Sequence, residues 1–338
     1  MIEIGGNILS ADDFTRQDIE MLTERAQIFG MIMDEHGGAS PFKNHYAGMG
    51  CVTYFEEPST RTRIGSEMAA GKVLGMHVSS LAGSEASTVK GETYAHTAMT
   101  LGAMGADLLV MRTSKEGSVA EAAKYCDAPV VNGGDGANEH PTQMLLDIAT
   151  AQDELGRIDG TRWVAFGDVG HSRTLNSLIA GLGKFQDVHL TMVASSDELG
   201  PSARTIDFLE ANHVPYDVTS SLKDEVKKAD VLYGIRTQAE RHLGGVVSSE
   251  IVLDKEVMKY MRQGPKTIIM HPGPHGPEIA PEVYDHPNAV FAKKQVRMGV
   301  LTRAALFDTI LGQSVYSWLR HEGQFGDVHA RLALVKAA

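Results

Sequence analysis

Cys51-Val-Thr-Tyr-Phe-Glu-Glu-Pro-Ser-Thr-Arg-Thr-Arg63 begins as an apolar run, breaks at Pro58 and ends in hydroxyl and guanidinium groups that lead into the helix-like stretch Ile64 to Leu74. The order is strand, turn, helix. At such a turn the first N–H groups of the helix lack partners within it, and the positive end of its dipole attracts an anion. Ser59, Thr60 and Thr62 add hydroxyl donors, and Arg61 adds a planar fork that matches two phosphate oxygens. The plainer alternative is an ordinary Ser/Thr cap with two solvated arginines. The density of donors favours an anion site.

The same alternation spreads outward on both sides. An amphipathic opening helix, with Ile19, Leu22, Ala26, Phe29 and Met33 at helical spacing, follows the cap candidates Ser10 and Asp12. Apolar runs at Met76 to Ser79, Asp107 to Met111 and Pro129 to Val131 alternate with helical stretches at Glu67 to Leu74, Glu92 to Met104 and Thr142 to Leu155. The pattern restarts at Arg162 to Phe166 and continues through Val188 to Val193, Asp230 to Ile235 and Thr267 to Met270. This predicts an α/β chain of two doubly wound parallel-sheet domains joined by helices. The expected domains are residues 1–148 and 149–296, with a helix from about 297 to 320 packing back on the first.

Composition sets limits on function. The 338 residues include 31 Lys plus Arg against 43 Asp plus Glu, a net charge of −12, which disfavours nucleic acid or an anionic membrane as partner. Any anion site must be a local cluster of positive groups. Cys51 and Cys126 belong to no metal-spaced cluster, so neither a metal nor a disulfide scaffold is expected. Met1 to Thr15 carries no basic-then-apolar leader, and no apolar run approaches the roughly 18 residues of a membrane span. The expectation is a soluble, cytoplasmic protein. No G-x-G-x-x-G follows a strand, so a dinucleotide oxidoreductase is disfavoured and no cofactor is expected.

Three further segments add cationic or imidazole donors. Arg112 closes the run Asp107 to Met111, where an open α/β sheet presents its ligand crevice. His140-Pro-Thr-Gln143 follows the Gly-rich segment Asn132 to Asn138, read as a loop. Lys90-Gly-Glu92 starts a helix after the polar segment Gly83 to Thr88, a candidate mobile loop. Taken one at a time, a surface salt bridge, a core histidine and a solvated lysine would explain them.

Taken together, Ser59-Thr-Arg-Thr-Arg63, Lys90-Gly-Glu-Thr93, Gly134-Asp-Gly136 with His140-Pro-Thr-Gln143, Gly167 to Thr174 and His271-Pro-Gly-Pro274 resemble the aspartate/ornithine carbamoyltransferase family, nearly end to end. The resemblance implies a carbamoyl phosphate domain followed by an amino-acid domain. It also implies a homotrimer whose active sites lie between neighbouring chains, either alone or in larger assemblies. By that pattern Ser59, Thr60, Arg61 and Thr62 hold the phosphate, while Arg112, His140 and Gln143 hold the carbamoyl end. Ser87 and Lys90 match a loop that reaches into the adjacent chain's site, and the Pro272 and Gly273 carbonyls accept from the carbamoyl amide.

For the acceptor, Arg173-Thr174 and Arg236 to Arg241 each follow a strand, and Arg173, Arg236 and Gln238 suit a substrate bearing carboxylates. The R-x-Q-x-E-R pattern resembles the aspartate branch of the family, and the D-x-W-x-S-M-G run of the ornithine branch is absent. Glu57 matches an acid that bridges the two domains on closure, onto Arg173 or Arg241. Two places depart from that branch, which commonly has His where this chain has Thr113 and an arginine soon after the H-P-x-P motif, where this chain reads His275-Gly-Pro-Glu278. The function implied is carbamoyl transfer from carbamoyl phosphate to L-aspartate in pyrimidine biosynthesis. The alternatives are another carboxylate-bearing amine such as ureidoglycine, or an inactive structural paralogue. Arg61, Lys90, Arg112 and His140 are the expected catalytic residues. They act by orienting substrates and stabilising an oxyanion, without a protein nucleophile.

Overall fold

The computed structural model describes residues 1–38, 40–42, 45–237, 251–262 and 266–312. The chain divides into two compact units, Met1–Thr142 with the chain from Arg297 on, and Gln143–Val296. In the first unit, β1 (Gly50–Phe55), β2 (His77–Ala82), β3 (Leu108–Thr113) and β4 (Val130–Asp135) form an all-parallel sheet in the order β2-β1-β3-β4. Central β3 is apolar without alternation because both its faces are covered, and Leu108 to Met111 are buried. Edge strand β2 is polar and exposed at His77, Ser79 and Ser80. The opposite edge, β4, is covered by the N-terminal segment: Ile8 N–H donates to the Val130 carbonyl (2.9 Å) and Asn132 N–H to the Ile8 carbonyl (2.7 Å).

Two local expectations change. The opening helix, Arg16–Glu35, is capped by Thr15 rather than by Ser10 or Asp12, because Asp18 returns the bond: Thr15 Oγ1 accepts from Asp18 N–H, and the Asp18 carboxylate accepts from Thr15 N–H. Ser10 caps a separate short turn, Ala11–Asp13. Asn132 to Asp135 is not loop but the end of β4. Gly133 permits this, since a Cβ there would lie 3.2 Å from the Met111 carbonyl and 3.3 Å from the Phe55 ring. The helix Lys294–Leu311 meets the opening helix through Arg297, which donates to the Gly30 carbonyl and to Asp34, and through Arg25, which donates to Thr309.

In the second unit, β5 (Arg162–Gly167), β6 (His189–Val193), β7 (Tyr216–Thr219), β8 (Val231–Ile235) and β9 (Ile268–Met270) pair in parallel, in the order β7-β6-β5-β8-β9. Val164, Phe166, Leu232, Ile269 and Phe291 build its core. The expected architecture of two parallel α/β sheets stands. Edge strand β7 is the element that apolar runs did not reveal, because its Asp217 and Val218 side chains face solvent. Each sheet has one place where successive strands depart in opposite directions, between β1 and β3 and between β5 and β8. Open α/β sheets bind ligands at the carboxyl ends of such strands.

Candidate active site

The carboxyl end of β1 runs directly into the Ser59 to Arg63 stretch. Thr60–Ile64, Gly65–Glu67 and Met68–Val73 follow one another as a continuous helix. It starts four residues ahead of Ile64 because Ser59 caps it, its hydroxyl accepting the Thr62 N–H at 3.2 Å. Thr62 is buried, and its hydroxyl lies 3.0 Å from His140 Nε2. The other ring nitrogen, Nδ1, lies 3.4 Å from the Thr142 hydroxyl, so the imidazole is gripped on both sides. Two segments 78 residues apart, Ser59 to Thr62 and His140 to Thr142, are thereby joined in one site of the first unit.

Arg61 is half-buried on this first turn, and burial alone pushes its guanidinium below its usual value. It makes no ion pair or hydrogen bond with any described residue. Burying part of a cation without a partner costs free energy, and an anion bound here would recover it. Arg112, on β3 opposite Phe55, is held by Glu57: Nε donates at 3.1 Å and Nη2 at 3.0 Å to the same carboxylate oxygen. Glu57 thus engages Arg112 within the first unit. Glu57 thereby fixes the plane of the guanidinium at the carboxyl end of β3.

Glu56, which the sequence did not single out, fastens the ends of β1 and β3. Its carboxylate accepts from the Ser114 N–H and hydroxyl (2.7 Å each) and from the Tyr94 hydroxyl. Burial raises the Glu56 carboxyl, but these donors outweigh it and hold the group below its usual value. Asp135 does the same at β4, accepting from Gly117 N–H, Glu139 N–H and the side chains of Asn132 and Asn138. Ser87 and Lys90 are not part of this cluster. They sit exposed on the short turns Gly83–Glu85 and Ser87–Lys90 beyond β2, and neither bonds to Arg61, Arg112 or His140. Thr88 ties that segment to β1 through the Tyr54 hydroxyl at 3.1 Å.

In the second unit, Gly167 ends β5 at φ +110°, and a Cβ there would fall 2.0 Å from the Ile235 carbonyl. Only glycine lets β5 and β8 close up at this point. Arg173 and Thr174 open the next helix, Arg173–Leu182, capped by Ser172, and Arg173 is buried. Arg236 follows β8 and donates to the Thr237 carbonyl at 3.1 Å. Gln238, Glu240 and Arg241 lie outside the described residues.

The Pro272-Gly273 segment is braced from below. His271 Nδ1 accepts the Gly273 N–H (2.8 Å), so Nε2 carries the proton and donates to Glu278 at 2.7 Å. Both side chains are buried. Burial raises the Glu278 carboxyl, and the His271 contact with backbone N–H groups outweighs it, holding it low. His275, the first residue after the His271-Pro-Gly-Pro274 run, packs edge-on against His271 and Phe291. Gln143, on the helix Pro141–Leu155, donates to buried Asp147 at 2.9 Å.

Neither thiol suits nucleophilic chemistry. Burial pushes Cys51 up to about 12, and burial also raises Cys126. Among the described residues no group of three or more His, Cys, Asp or Glu side chains is placed to hold a metal ion, and no helix is long and apolar enough to cross a membrane.

Comparison with known proteins matches both units. Residues 7–153 match the carbamoyl-P binding domain of the aspartate/ornithine carbamoyltransferases, and residues 159–310 match their Asp/Orn binding domain. The chain is 36% identical to the aspartate carbamoyltransferase catalytic subunit of Roseiflexus sp. (strain RS-1), over 91% of this chain and 95% of that one. It is 37% identical to the Methanopyrus kandleri subunit of the same name, over 90% and 97%. Among solved structures it superimposes on Trypanosoma cruzi aspartate transcarbamoylase in complex with carbamoyl phosphate and aspartate, with a TM-score of 0.82, 31% identity and coverage of 91% and 97%. The same enzyme in complex with N-(phosphonacetyl)-L-aspartic acid gives a TM-score of 0.81, 31% identity and coverage of 92% and 99%.

Proposed function

The chain belongs to the aspartate/ornithine carbamoyltransferase family, and from that premise we propose that it transfers the carbamoyl group of carbamoyl phosphate to L-aspartate, giving N-carbamoyl-L-aspartate and phosphate. The observation that carries this is the half-buried, unpaired Arg61 guanidinium on the capped turn after β1, in a chain of net charge −12. Ser59, Thr60, Arg61 and Thr62 take the phosphate. Arg112, His140 and Thr62 surround the carbonyl oxygen, and Gln143 with the Pro272 and Gly273 carbonyls takes the amide. Arg173, Thr174, Arg236 and Gln238 take the acceptor's carboxylates.

The uncharged amine of aspartate attacks the carbonyl carbon, the carbonyl electrons move to oxygen, and collapse expels phosphate, which accepts the amine proton. Donors aimed at the developing oxyanion are worth about 2.7 to 4 kcal/mol each. Most of the acceleration comes from holding two small substrates together, an effect that reaches about 7 to 11 kcal/mol in oriented systems. His140 acts as a hydrogen-bond donor, with the Thr62 and Thr142 hydroxyls at its two ring nitrogens fixing the orientation of the ring.

The working unit is a homotrimer in which Ser87 and Lys90 complete the site of a neighbouring chain. Two features support this. Lys90 is exposed and unpaired, and Ser87 lines with exposed Met104 a cavity of about 510 Å³ beside edge strand β2. Two free thiols, Cys51 buried and Cys126 partly buried, suit action in the cytoplasm, as a step toward pyrimidines.

The test is a coupled phosphate-release assay with aspartate, ornithine, putrescine and ureidoglycine. Aspartate should lead in kcat/KM by about a hundredfold or more, as expected where buried Arg173 and half-buried Arg236 serve two carboxylates. A lead by ureidoglycine would transfer the assignment to that acceptor.

A further inference from the structure

The donor's carbamoyl end carries an NH2 group, and a site that recognises it must offer hydrogen-bond acceptors. On the function proposed above, those acceptors are Gln143 and the carbonyls of Pro272 and Gly273. A backbone carbonyl can only accept. A carboxamide is ambiguous, because a half-turn about its last torsion exchanges an accepting oxygen for a donating nitrogen.

Asp147 removes that ambiguity. Its carboxylate is fully buried and accepts from Gln143 Nε2 (2.9 Å), Gln295 Nε2 (2.6 Å) and the Tyr233 hydroxyl (2.7 Å). Oδ1 accepts from both amide nitrogens and Oδ2 from the phenol, so each partner presents a hydrogen to this carboxyl group. The Gln143 nitrogen is therefore committed to Asp147, and its oxygen is the end left for a ligand. Gln143 and Asp147 stand four residues apart on one helix, the spacing that makes side chains neighbours.

The other two partners reach further. Gln295 is fixed at both ends, since its Oε1 accepts the His271 N–H at 3.0 Å, at the start of the segment that carries Pro272 and Gly273. Tyr233 is fully buried, and burial keeps its phenol protonated as a donor. One buried carboxylate thus connects Gln143, strand β8 and the His271 segment, all within the second unit.

We propose that Asp147 is a positioning residue which locks the Gln143 carboxamide with its oxygen toward the donor's amide, and so makes the enzyme select an acyl phosphate bearing NH2 over one bearing CH3. The neutral carboxamide of Asp147→Asn can donate as well as accept, which releases Gln143 to present its nitrogen against another donor.

The probes are phosphonoacetamide and acetonylphosphonate, which differ only by NH2 against CH3, with inorganic phosphate as control, each titrated against the full-length protein by calorimetry. The wild type should prefer the amide by about thirtyfold or more, as for a buried polar group that the methyl leaves unpaired. In Asp147→Asn that preference should fall below about threefold while phosphate affinity holds. Tyr233→Phe removes one donor but leaves the polarity, so it should keep the preference.

Parallel weakening of all three ligands, or an unchanged preference in Asp147→Asn, overturns the proposal. Should that variant fail to fold, Gln143→Met reads the same ratio, and a preserved preference for the amide likewise overturns it. Absence of phosphate release from carbamoyl phosphate and aspartate in the wild type would count against the function instead, and is read before any variant is made.

Discussion

At the residue scale, the decisive group is a charge without a counter-charge. Most cations here are neutralised or solvated, as Arg112 is by Glu57 and Arg297 by Asp34. Arg61 is half-buried and has neither. Its removal should therefore separate stability from binding. In Arg61→Met the unfolding free energy from urea titration should stay within about 0.5 kcal/mol of wild type, as for a substitution that breaks no buried network. The thermal stabilisation by phosphate, about 2.7 kcal/mol at a hundredfold excess over Kd, should vanish. A scan with and without phosphate reads both, and retained stabilisation would remove Arg61 from the site. This residue was legible in the sequence because strand, proline, hydroxyls and arginine fall in a row. Glu56 and Asp147 were not, because Ser114 lies 58 residues from Glu56, and Tyr233, which ties Asp147 to β8, lies 86 residues from it along the chain.

At the element scale, what the sequence reveals is burial rather than geometry. β3 from Leu108 to Met111 and β8 are apolar without alternation because both faces are covered, and they read at once as strands. β7 does not, because an edge strand with solvated side chains carries no apolar run. The Gly133 to Asp135 stretch reads as loop until the close approach of Met111 and Phe55 explains its glycine. The helix Pro141–Leu155 also has a tie that only the fold reveals. Near its end Glu154 is bonded by Lys266, just ahead of β9, and by Lys294, which opens the last helix. Burial raises the Glu154 carboxyl, and the two lysines outweigh it and hold it below its usual value. A carboxyl depressed in the folded state stabilises above its unfolded value, near 4.3, and loses that contribution as pH falls through the folded value. Glu154→Gln should therefore melt below wild type at pH 7 by a margin that stays constant down to about pH 5 and closes in stronger acid. A margin that persists at pH 3 would mean the lysine contacts are not its source.

At the scale of the whole molecule, a chain of net charge −12 must gather its positive groups to hold a phosphoryl dianion, and the first unit gathers only some of those expected. Arg61, Thr62, Arg112 and His140 sit at the carboxyl ends of β1, β3 and β4, whereas Lys90 stands exposed beyond edge strand β2 without a partner. A lysine held ready at an edge is explained if its anion belongs to another copy of the chain. That has a consequence no single-chain site shares. Arg61→Ala and Lys90→Ala proteins should each be inactive, yet denaturing and refolding them together should restore activity. In a randomly mixed ring each site takes its Arg61 from one chain and its Lys90 from the next, so about a quarter of sites receive both intact groups. Activity near a quarter of the wild-type value per chain is the expected result. If Lys90 served its own chain, every site would carry one defect whatever its neighbours, and the mixture would stay as inactive as its parents.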